Sequence, residues 1–279
     1  MNSIRAEGRL DHQALVNSHF ERAASYWSDV YGSDGVDAAV YQTRLQRVLS
    51  LVDGLAHPPS AAVLEIGPGA GHATVALARR GFFVLAVDAV AAMVEATRDR
   101  AETAGHGRQV TAQVADIRAL PLADESVSLA LAVGVLPWLP APAVPLRQIA
   151  RVLRRGGHAI VTVENRWGLK QLAEPYTNPL LRPAKETLKL VLQPFRRPHD
   201  RGLTHAMSIR ACDALLRASG LRKLAGCTLG FGSLTAFNHA LLPRSMGLSV
   251  HRRLQSLADD GNPLLANAGA QYIVLAQRE

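Results

Sequence analysis

The sequence predicts an α/β fold in which helices cover both faces of a mostly parallel sheet. Short apolar runs alternate with helix-patterned segments between residues 61 and 164, and this alternation is typical of right-handed strand-helix-strand units. A glycine-rich turn follows the first apolar run, and an acidic residue lies at or near the end of each of the first three runs. The runs are continuously apolar, as expected for strands that are buried on both faces.

The first 57 residues are predicted to form a helical N-terminal cap. Apolar side chains recur at helical spacing between residues 20 and 27 and again between residues 40 and 52. Residues 31–35 predict a turn between these helices, and the segment 57–60, His-Pro-Pro-Ser, marks a boundary. Residues 58–279 are therefore predicted to form the core.

The core is predicted to be a Rossmann-like, doubly wound sheet of seven strands. The predicted strands are residues 62–66, 82–87, 110–114, 128–135, 158–163, 224–229 and 271–277. The predicted helices are residues 73–80, 90–103, 144–153 and 208–219. The alternation is interrupted by two C-terminal insertions, 165–207 and 230–268.

The charge of the chain is unevenly distributed. The formal net charge is +8; residues 1–164 carry 15 basic and 16 acidic side chains, whereas residues 165–279 carry 16 basic and 7 acidic ones. This asymmetry is compatible with a solvated basic face, an anionic substrate, a membrane surface or nucleic acid. The two cysteines, Cys212 and Cys227, are too few for a disulfide framework or a metal cluster. We therefore expect no metal and a reducing, cytoplasmic setting.

The segment 63–74, VLEIGPGAGHAT, carries the strongest functional signal. Glycines let the backbone turn tightly and approach a ligand without an intervening Cβ. Nicotinamide sites usually have the spacing G-x-G-x-x-G, whereas Gly67, Gly69 and Gly71 have the spacing G-x-G-x-G. Glu65 would repel a pyrophosphate, because like charges repel. It favours a positively charged ligand group such as an ammonium.

Two further carboxylates follow the next two predicted strands. Asp88 ends the second strand, where a carboxylate can accept hydrogen bonds from both hydroxyls of a ribose. Asp116 follows the third strand, where it can accept from an adenine amino group while the N–H of Ile117 donates to the ring. Because open parallel sheets bind ligands at the carboxyl ends of their strands, these acids and Glu65 predict one nucleoside site.

This pattern resembles the class I S-adenosylmethionine-dependent methyltransferase family over about residues 60–165. The segments that carry the resemblance are residues 63–74, 83–97, 111–140 and 149–165. The resemblance implies S-adenosylmethionine as the cofactor. The residues that it implies around the cofactor are Gly67, Gly69 and Gly71 at the methionine part, Asp88 at the ribose with Ala89 and Met93 beside it, Asp116 and Ile117 at the adenine, and Val133 beneath the sulfonium.

The N-terminal segment 19–49 resembles the helical caps of several small-molecule branches of this family. The likeness implies that Tyr26 and Trp27 close over the cofactor and that Arg44 pairs with its carboxylate. The alternative is that Trp27 is a core aromatic side chain and Arg44 a surface charge.

His205 is the predicted catalytic residue. The stretch 201–205, RGLTH, resembles a segment of the ubiquinone-biosynthesis O-methyltransferases. A general base is needed only if the acceptor carries a proton with a high pKa, so the family has no fixed catalytic residue to carry over. A structural histidine at a helix start is the alternative, and Glu164, after the fifth strand, is a second candidate.

The predicted acceptor is a hydroxyl group on a small or lipid-like molecule. The segment 134–138, GVLPW, follows the fourth strand in place of an N-P-P-Y-type motif, which disfavours amide and nucleobase acceptors. The two insertions are expected to form the acceptor side. Residues 181–195 place leucines and a phenylalanine on one helical face beside basic residues, which predicts a lid or a peripheral membrane contact through residues 180–201.

Two other enzyme classes are left open by the sequence. The basic C-terminal part is compatible with an RNA methyltransferase, although nucleic acid is not the favoured partner. A nicotinamide-dependent oxidoreductase is disfavoured by Glu65 and by the glycine spacing. A protein that kept the fold but lost the chemistry is disfavoured by the intact set of acids.

Overall fold

The N-terminal part of the protein is helical, as predicted. The structure is a computed structural model that describes residues 2–58, 60–181, 203–237 and 239–279. The first helices are α1 (Asn2–Arg22), α2 (Ala24–Asp29) and α3 (Val36–Asp53), and a short 3₁₀ helix, Val30–Gly32, precedes α3. The predicted turn at residues 31–35 therefore coincides with the junction of α2 and α3.

One large mixed sheet forms the centre of the molecule. Its strands are β1 (Ala62–Ile66), β2 (Phe83–Asp88), β3 (Val110–Val114), β4 (Val127–Ala132), β5 (Leu153–Asn165), β6 (Ala206–Met207), β7 (Leu221–Leu229) and β10 (Gln271–Arg278). A separate two-stranded hairpin consists of β8 (Thr235–Ala236) and β9 (His239–Ala240). All seven predicted strands are present, and the short β6 adds to them.

The strand order across the sheet is β3-β2-β1-β4-β5-β10-β7, with β6 beside the end of β5. The pairs β1–β2, β2–β3, β1–β4 and β4–β5 are parallel, whereas β10 is antiparallel to both β5 and β7. The chain winds outward from β1 to β3 and then returns to β4. The sheet therefore has its switch point between β1 and β4, where open α/β sheets bind ligands.

The remaining helices connect the strands and pack on the sheet. They are α4 (His72–Ala78), α5 (Ala91–Thr103), α6 (Ala143–Val152), α7 (Leu169–Ala173), α8 (Ile209–Ala218) and α9 (Arg244–Asp259). The hydroxyl of Ser208 caps α8 by accepting a hydrogen bond from the N–H of Ala211 at 3.2 Å.

The two faces of the sheet are buried by different helices. Leu64 of β1 is buried in the same cluster as Leu216 of α8. Its neighbour Val63 is buried on the opposite face, in a cluster with Val52 of α3 and Leu77 of α4. Burial on both faces confirms the doubly wound prediction and explains why the strands are continuously apolar. It also makes α3 a core helix as well as part of the predicted cap.

The fifth strand is longer than its sequence predicts. Residues 154–157, Arg-Arg-Gly-Gly, follow α6 and are typical of a turn in sequence. In the structure they belong to β5, which begins at Leu153. Gly156 has a φ of +75°, and the register between β4 and β5 shifts at Val127 and Leu129. The glycines form an irregularity that lets the strand continue pairing, and such bulges look like turns in a sequence.

Part of the predicted acceptor side lies outside the described residues. The segment 182–202, which contains most of the predicted amphipathic stretch 181–195, belongs to it. The second insertion contains the β8–β9 hairpin and α9. No helix in the described part of the chain is long and apolar enough to span a membrane.

Truncating a buried leucine of the central strands tests the core. Leu131 of β4 has no solvent exposure, so Leu131→Ala is expected to lower the free energy of unfolding by about 2–5 kcal/mol. Leu264, which is 85% exposed, provides the matched control. Leu264→Ala should change the free energy of unfolding by less than about 0.5 kcal/mol. Urea unfolding followed by circular dichroism measures both; similar values for the two variants would contradict the described packing.

Candidate functional site

A cavity of about 220 Å³ lies between the carboxyl edge of the sheet and the N-terminal helices. The structure brings ten of the predicted cofactor residues to its walls. They are Arg44, Glu65, Gly67, Gly69, Asp88, Ala89, Met93, Asp116, Ile117 and Val133. The eleventh, Gly71, lies just behind the wall as the N-cap of α4. Of the two aromatic residues predicted to close the site, Trp27 lines the cavity, whereas Tyr26 lies outside its lining and is 48% exposed.

The glycine turn forms the floor of this cavity next to β1. Gly67, Gly69 and Gly71 have φ values of +65°, +58° and +77°, a region that favours glycine over all other residues. A Cβ on Gly67 would overlap the side chain of Val135, whereas a Cβ on Gly69 would meet no atom within 4 Å. The turn therefore needs glycine at residue 67 for packing, and at residue 69 it leaves open backbone facing a ligand.

Glu65 is a buried carboxylate at the end of β1. Its side chain is 4% exposed, and the hydroxyl of Thr74 donates a hydrogen bond to its Oε2 at 2.5 Å. Burial raises the pKa of Glu65 to about 7, and the bond from Thr74 opposes this rise. A buried carboxylate with a single neutral partner is costly, so this site fits a cationic group.

Asp88 lies at the end of β2 with its carboxylate held by the backbone. The N–H of Val90 donates to its Oδ1 at 2.9 Å. Burial raises the pKa of Asp88 to about 6, while hydrogen bonds from the N–H groups of Val90 and Ala89 lower it. The remaining oxygen lone pairs of this oriented carboxylate suit paired hydroxyl donors.

Asp116 differs from its predicted role in one respect. Arg118 forms an ion pair with it, with Nη2 at 2.6 Å from Oδ2, and the backbone N–H of Arg118 donates to Oδ1 at 2.8 Å. The hydrogen bonds from Arg118 hold the pKa of Asp116 below its usual range. The carboxylate lines the cavity, but part of its accepting capacity is already used by Arg118.

Arg44 of α3 is a buried cation with an unsatisfied donor. Its side chain is 7% exposed, and its Cζ lies 4.9 Å from the ring centroid of Tyr41. Its Nε is buried and has no hydrogen-bond partner among the described residues. Gly134, at the end of β4, makes room for it, since a Cβ there would lie 3.1 Å from Nη1. A guanidinium in this state fits an anionic ligand group such as a carboxylate.

Aromatic rings close the cavity on the side of the N-terminal helices. The ring centroid of Phe20 lies 4.8 Å from that of Trp138 and 5.8 Å from that of Trp27, and Trp27 lies 5.5 Å from Tyr41. All four rings line the cavity. The buried Nε1 of Trp27 has no partner in the described part of the protein. The arrangement provides apolar walls that contain one buried N–H donor without a partner in the described residues.

His205 lies outside the lining of this cavity. Its backbone N–H donates to the carbonyl oxygen of Pro137 at 2.6 Å, and its exposed ring lies 5.6 Å from the ring of His12. Partial burial and the charge of His12 lower the pKa of His205. Its neighbour Thr204 does line the cavity. The catalytic role of His205 stays a prediction.

Several site residues are not apparent from local sequence patterns. Phe20 and Trp138 come together only through the packing of α1 on the loop after β4. Thr162 accepts a hydrogen bond from the N–H of Gly134 at 2.6 Å and thereby fixes the turn over Arg44. Gln271 of β10 lines the cavity beside Glu164 because the two residues pair across the antiparallel strands. In the sequence, only the position of Gln271 at the start of the closing strand could have indicated it as a site residue.

Arg100 links the N-terminal helices to the glycine turn. Its Nε donates to the carbonyl oxygen of Ala70 at 2.5 Å, and its Nη2 donates to that of Ser28 at 3.0 Å. The ring of His72 also contacts the carbonyl oxygen of Ser28 at 3.2 Å and stacks on Tyr31. These bonds hold α2 against the site.

The fold is a doubly wound domain whose cavity combines a buried cation and two carboxylates with an open glycine turn. Residues 64–161 match the family model of a methyltransferase domain. The chain thus contains a methyltransferase domain of the class I, S-adenosylmethionine-dependent kind, and S-adenosylmethionine is the cofactor of that class. The buried Arg44, the buried Glu65 and the open glycine backbone fit this cofactor.

Several curated proteins similar to part of this chain are named methyltransferases. An uncharacterized methyltransferase of Mycobacterium bovis is 35% identical over 107 residues, which cover 38% of this chain and 41% of that protein. A malonyl-(acyl-carrier protein) O-methyltransferase of Laribacter hongkongensis is 30% identical over 172 residues, or 59% of this chain and 55% of that protein. The chain thus spans about half the length of the curated relatives that it matches.

The fold is shared with solved structures over nearly the whole chain. The magnesium protoporphyrin IX methyltransferase of Synechocystis PCC 6803, solved with bound SAH, superposes with a TM-score of 0.63 at 16% sequence identity. The match covers 96% of this chain and 100% of that one. At this identity the likeness concerns the fold.

The raised pKa of Glu65 gives a testable dependence of stability on pH. Because the folded pKa of about 7 lies above the ordinary value of 4.5, folding favours the protonated form. This stabilisation is fully present below about pH 4.5 and is lost as the pH rises through about 7. Relative to Glu65→Gln, the wild type should lose about 3 kcal/mol over this range.

Urea unfolding of both proteins between pH 5 and pH 8 measures this difference. Glu95, which is exposed on α5, provides the control, and Glu95→Gln should follow the wild-type profile. A constant stability difference between wild type and Glu65→Gln across the range would show that Glu65 does not titrate as described.

Proposed function

We propose that the protein transfers a methyl group from S-adenosylmethionine to a hydroxyl oxygen of a small-molecule acceptor. The observation that carries the proposal is the convergence in one cavity of a buried cation, Arg44, with the carboxylates of Glu65 and Asp88 beside the glycine turn. These groups are complementary to the carboxylate, the ammonium and the ribose of the cofactor. A pyrophosphate would instead meet two carboxylates.

Each wall of the cavity has a proposed role toward the cofactor. Glu65 pairs with the ammonium group, Arg44 with the carboxylate, and Asp88 with the ribose hydroxyls. Around them we propose that Gly67, Gly69 and Gly71 accommodate the methionine part, Ala89 and Met93 pack against the nucleoside, Asp116 and Ile117 bind the adenine, and Val133 lies beneath the sulfonium. Arg118 already donates to both carboxylate oxygens of Asp116, which reduces the accepting capacity that is left for the adenine.

Methyl transfer requires alignment of the acceptor oxygen with the methyl carbon more than it requires further activation of the methyl group. When bound, S-adenosylmethionine supplies a methyl group on a positively charged sulfur. The residues of this chain hold the acceptor in line with that carbon and exclude water from it, which is the principal contribution that positioning makes to such a displacement. The rings of Phe20, Trp27 and Trp138 provide the water-excluding wall.

Oxygen is the proposed methyl-accepting atom. The similarity to a malonyl-(acyl-carrier protein) O-methyltransferase supports it, as does the segment 134–138, which lacks an amide-methylating motif. The apolar walls of the cavity suit a small or lipid-like molecule. A peripheral membrane contact through residues 180–201 would suit a lipid-like acceptor and is tested by binding to anionic liposomes.

An RNA methyltransferase is the second candidate function. The excess of basic residues after residue 165 favours it. That activity requires RNA binding that weakens steeply with salt, and a filter-binding series between 50 and about 200 mM salt distinguishes it from small-molecule methylation.

Calorimetry with S-adenosylhomocysteine tests the cofactor site directly. Asp88→Asn removes the charge behind the proposed ribose hydrogen bonds, which are worth about 1.5–3 kcal/mol, so the affinity should fall about 10-fold to 100-fold. Asp99→Asn, on the exposed face of α5, should leave it unchanged. Binding of NAD in preference to S-adenosylhomocysteine, or equal affinities of the two variants, would refute the proposal.

A further inference from the structure

One partly buried carboxylate that lines the cavity has no role in the proposed cofactor contacts. Among the charged side chains that line the cavity in the described part of the chain, the contacts proposed above use Arg44, Glu65, Asp88 and Asp116. Glu164 is left over. It lies near the carboxyl end of β5 and is directed to the same face of the strand as Thr162, which also lines the cavity.

Two glutamine side chains orient this carboxylate. Nε2 of Gln271 donates to Oε1 of Glu164 at 3.0 Å, and Nε2 of Gln171 approaches Oε2 at 3.4 Å. Burial raises the pKa of Glu164, and the glutamine bonds together with the charges of Lys170 and Arg44 partly offset the rise. Glu164 is thus held in one orientation and remains a better proton acceptor than an exposed glutamate.

The aromatic side chains that line the cavity with Glu164 favour one shape of acceptor molecule. The same cavity is lined by Phe20, Trp27, Tyr41 and Trp138, whose centroids form a chain of contacts between 4.8 and 5.8 Å. A wall of tilted and edge-to-face rings favours a flat, apolar ligand body. Glu164 is the one carboxylate of the described lining that the proposed cofactor contacts leave unused, so it is the candidate to take a proton from the acceptor.

We propose that Glu164 is the catalytic base and that it serves a flat, apolar acceptor with a phenol-type hydroxyl group. This inference rests on the proposed methyl transfer. The O–H bond of the acceptor breaks and its proton passes to the Glu164 carboxylate. The oxygen lone pair forms the new bond to the methyl carbon, and the electron pair of the broken carbon–sulfur bond stays on sulfur. The product is a methyl ether.

The geometry favours Glu164 over His205 for this step. Glu164 lines the cavity, whereas the ring of His205 is exposed outside the lining. A purely structural role for Glu164, as a counter-ion of Arg44, makes a different prediction. Its removal would then weaken cofactor binding without slowing the transfer.

Glu164→Gln separates these roles, because the amide keeps the shape and one hydrogen-bond acceptor but cannot take a proton. The probes are 4-phenylphenol and 4-phenylaniline, two flat molecules of similar size, incubated with S-adenosylmethionine and analysed by mass spectrometry. We expect methylation of 4-phenylphenol by the wild type. In Glu164→Gln, kcat should fall at least about 100-fold, while the KM for 4-phenylphenol and the affinity for S-adenosylhomocysteine should change less than about threefold.

The pH profile is the second readout. Wild-type kcat at saturating cofactor should rise with pH as Glu164 ionises among Arg44, Lys170, Tyr41 and the two glutamines. Glu65 and Asp88 titrate in both proteins, so the part of the rise that wild type shows in excess of Glu164→Gln reports Glu164. Glu102→Gln, at an exposed position of α5, is the matched control and should resemble the wild type throughout.

The possible failures are distinguishable. A kcat within threefold of wild type in Glu164→Gln, or a loss of S-adenosylhomocysteine binding with kcat retained, overturns the role as base. Absence of methylation of 4-phenylphenol overturns the phenol-type acceptor class, whereas methylation of 4-phenylaniline alone also overturns oxygen as the methyl-accepting atom; in both cases binding of S-adenosylhomocysteine still supports a methyltransferase. Failure of the wild type to bind S-adenosylhomocysteine overturns the proposed function itself.

Discussion

The site depends on a buried guanidinium whose hydrogen-bonding capacity the described residues leave incomplete. Removing Arg44 from water carries a desolvation cost that a protein tolerates only with compensating partners. The ring of Tyr41 and the nearby charge of Glu164 supply part of the compensation, and Gly134 supplies the space. In the proposed site, the carboxylate of the cofactor supplies the partner that Nε of Arg44 lacks. Under that proposal, cofactor affinity and the stability of the ligand-free state are opposed at this residue.

Much of the fold was predictable because its signals are local. Alternating apolar runs and helical periodicity identified all seven predicted strands, and the positions of Glu65, Asp88 and Asp116 followed from where those runs end. The Arg118 side chain on Asp116 was missed even though it is only two residues away, because a strand-end pattern does not specify which side chain folds back. The extended start of β5 was missed because a glycine bulge resembles a turn in sequence.

The aromatic wall and the pair Glu164–Gln271 were beyond sequence reasoning for a different reason. Phe20 and Trp138 are more than 100 residues apart, and so are Glu164 and Gln271. Their contacts depend on how helices and strands from distant parts of the chain pack, which residue spacing does not encode. Trp27 could be expected at the site only through a family likeness, whereas its ring contacts with Phe20 and Tyr41 required the structure.

The placement of β10 has a consequence for how the chain folds. This strand lies inside the sheet, between β5 and β7, so the free edge of β5 is paired over its length only after residues 271–278 have been synthesised, more than 100 residues after β5 ends. Contacts of such large sequence separation form slowly. Until then β5 presents an apolar edge to other chains, and aggregation during synthesis competes with the closure of the sheet.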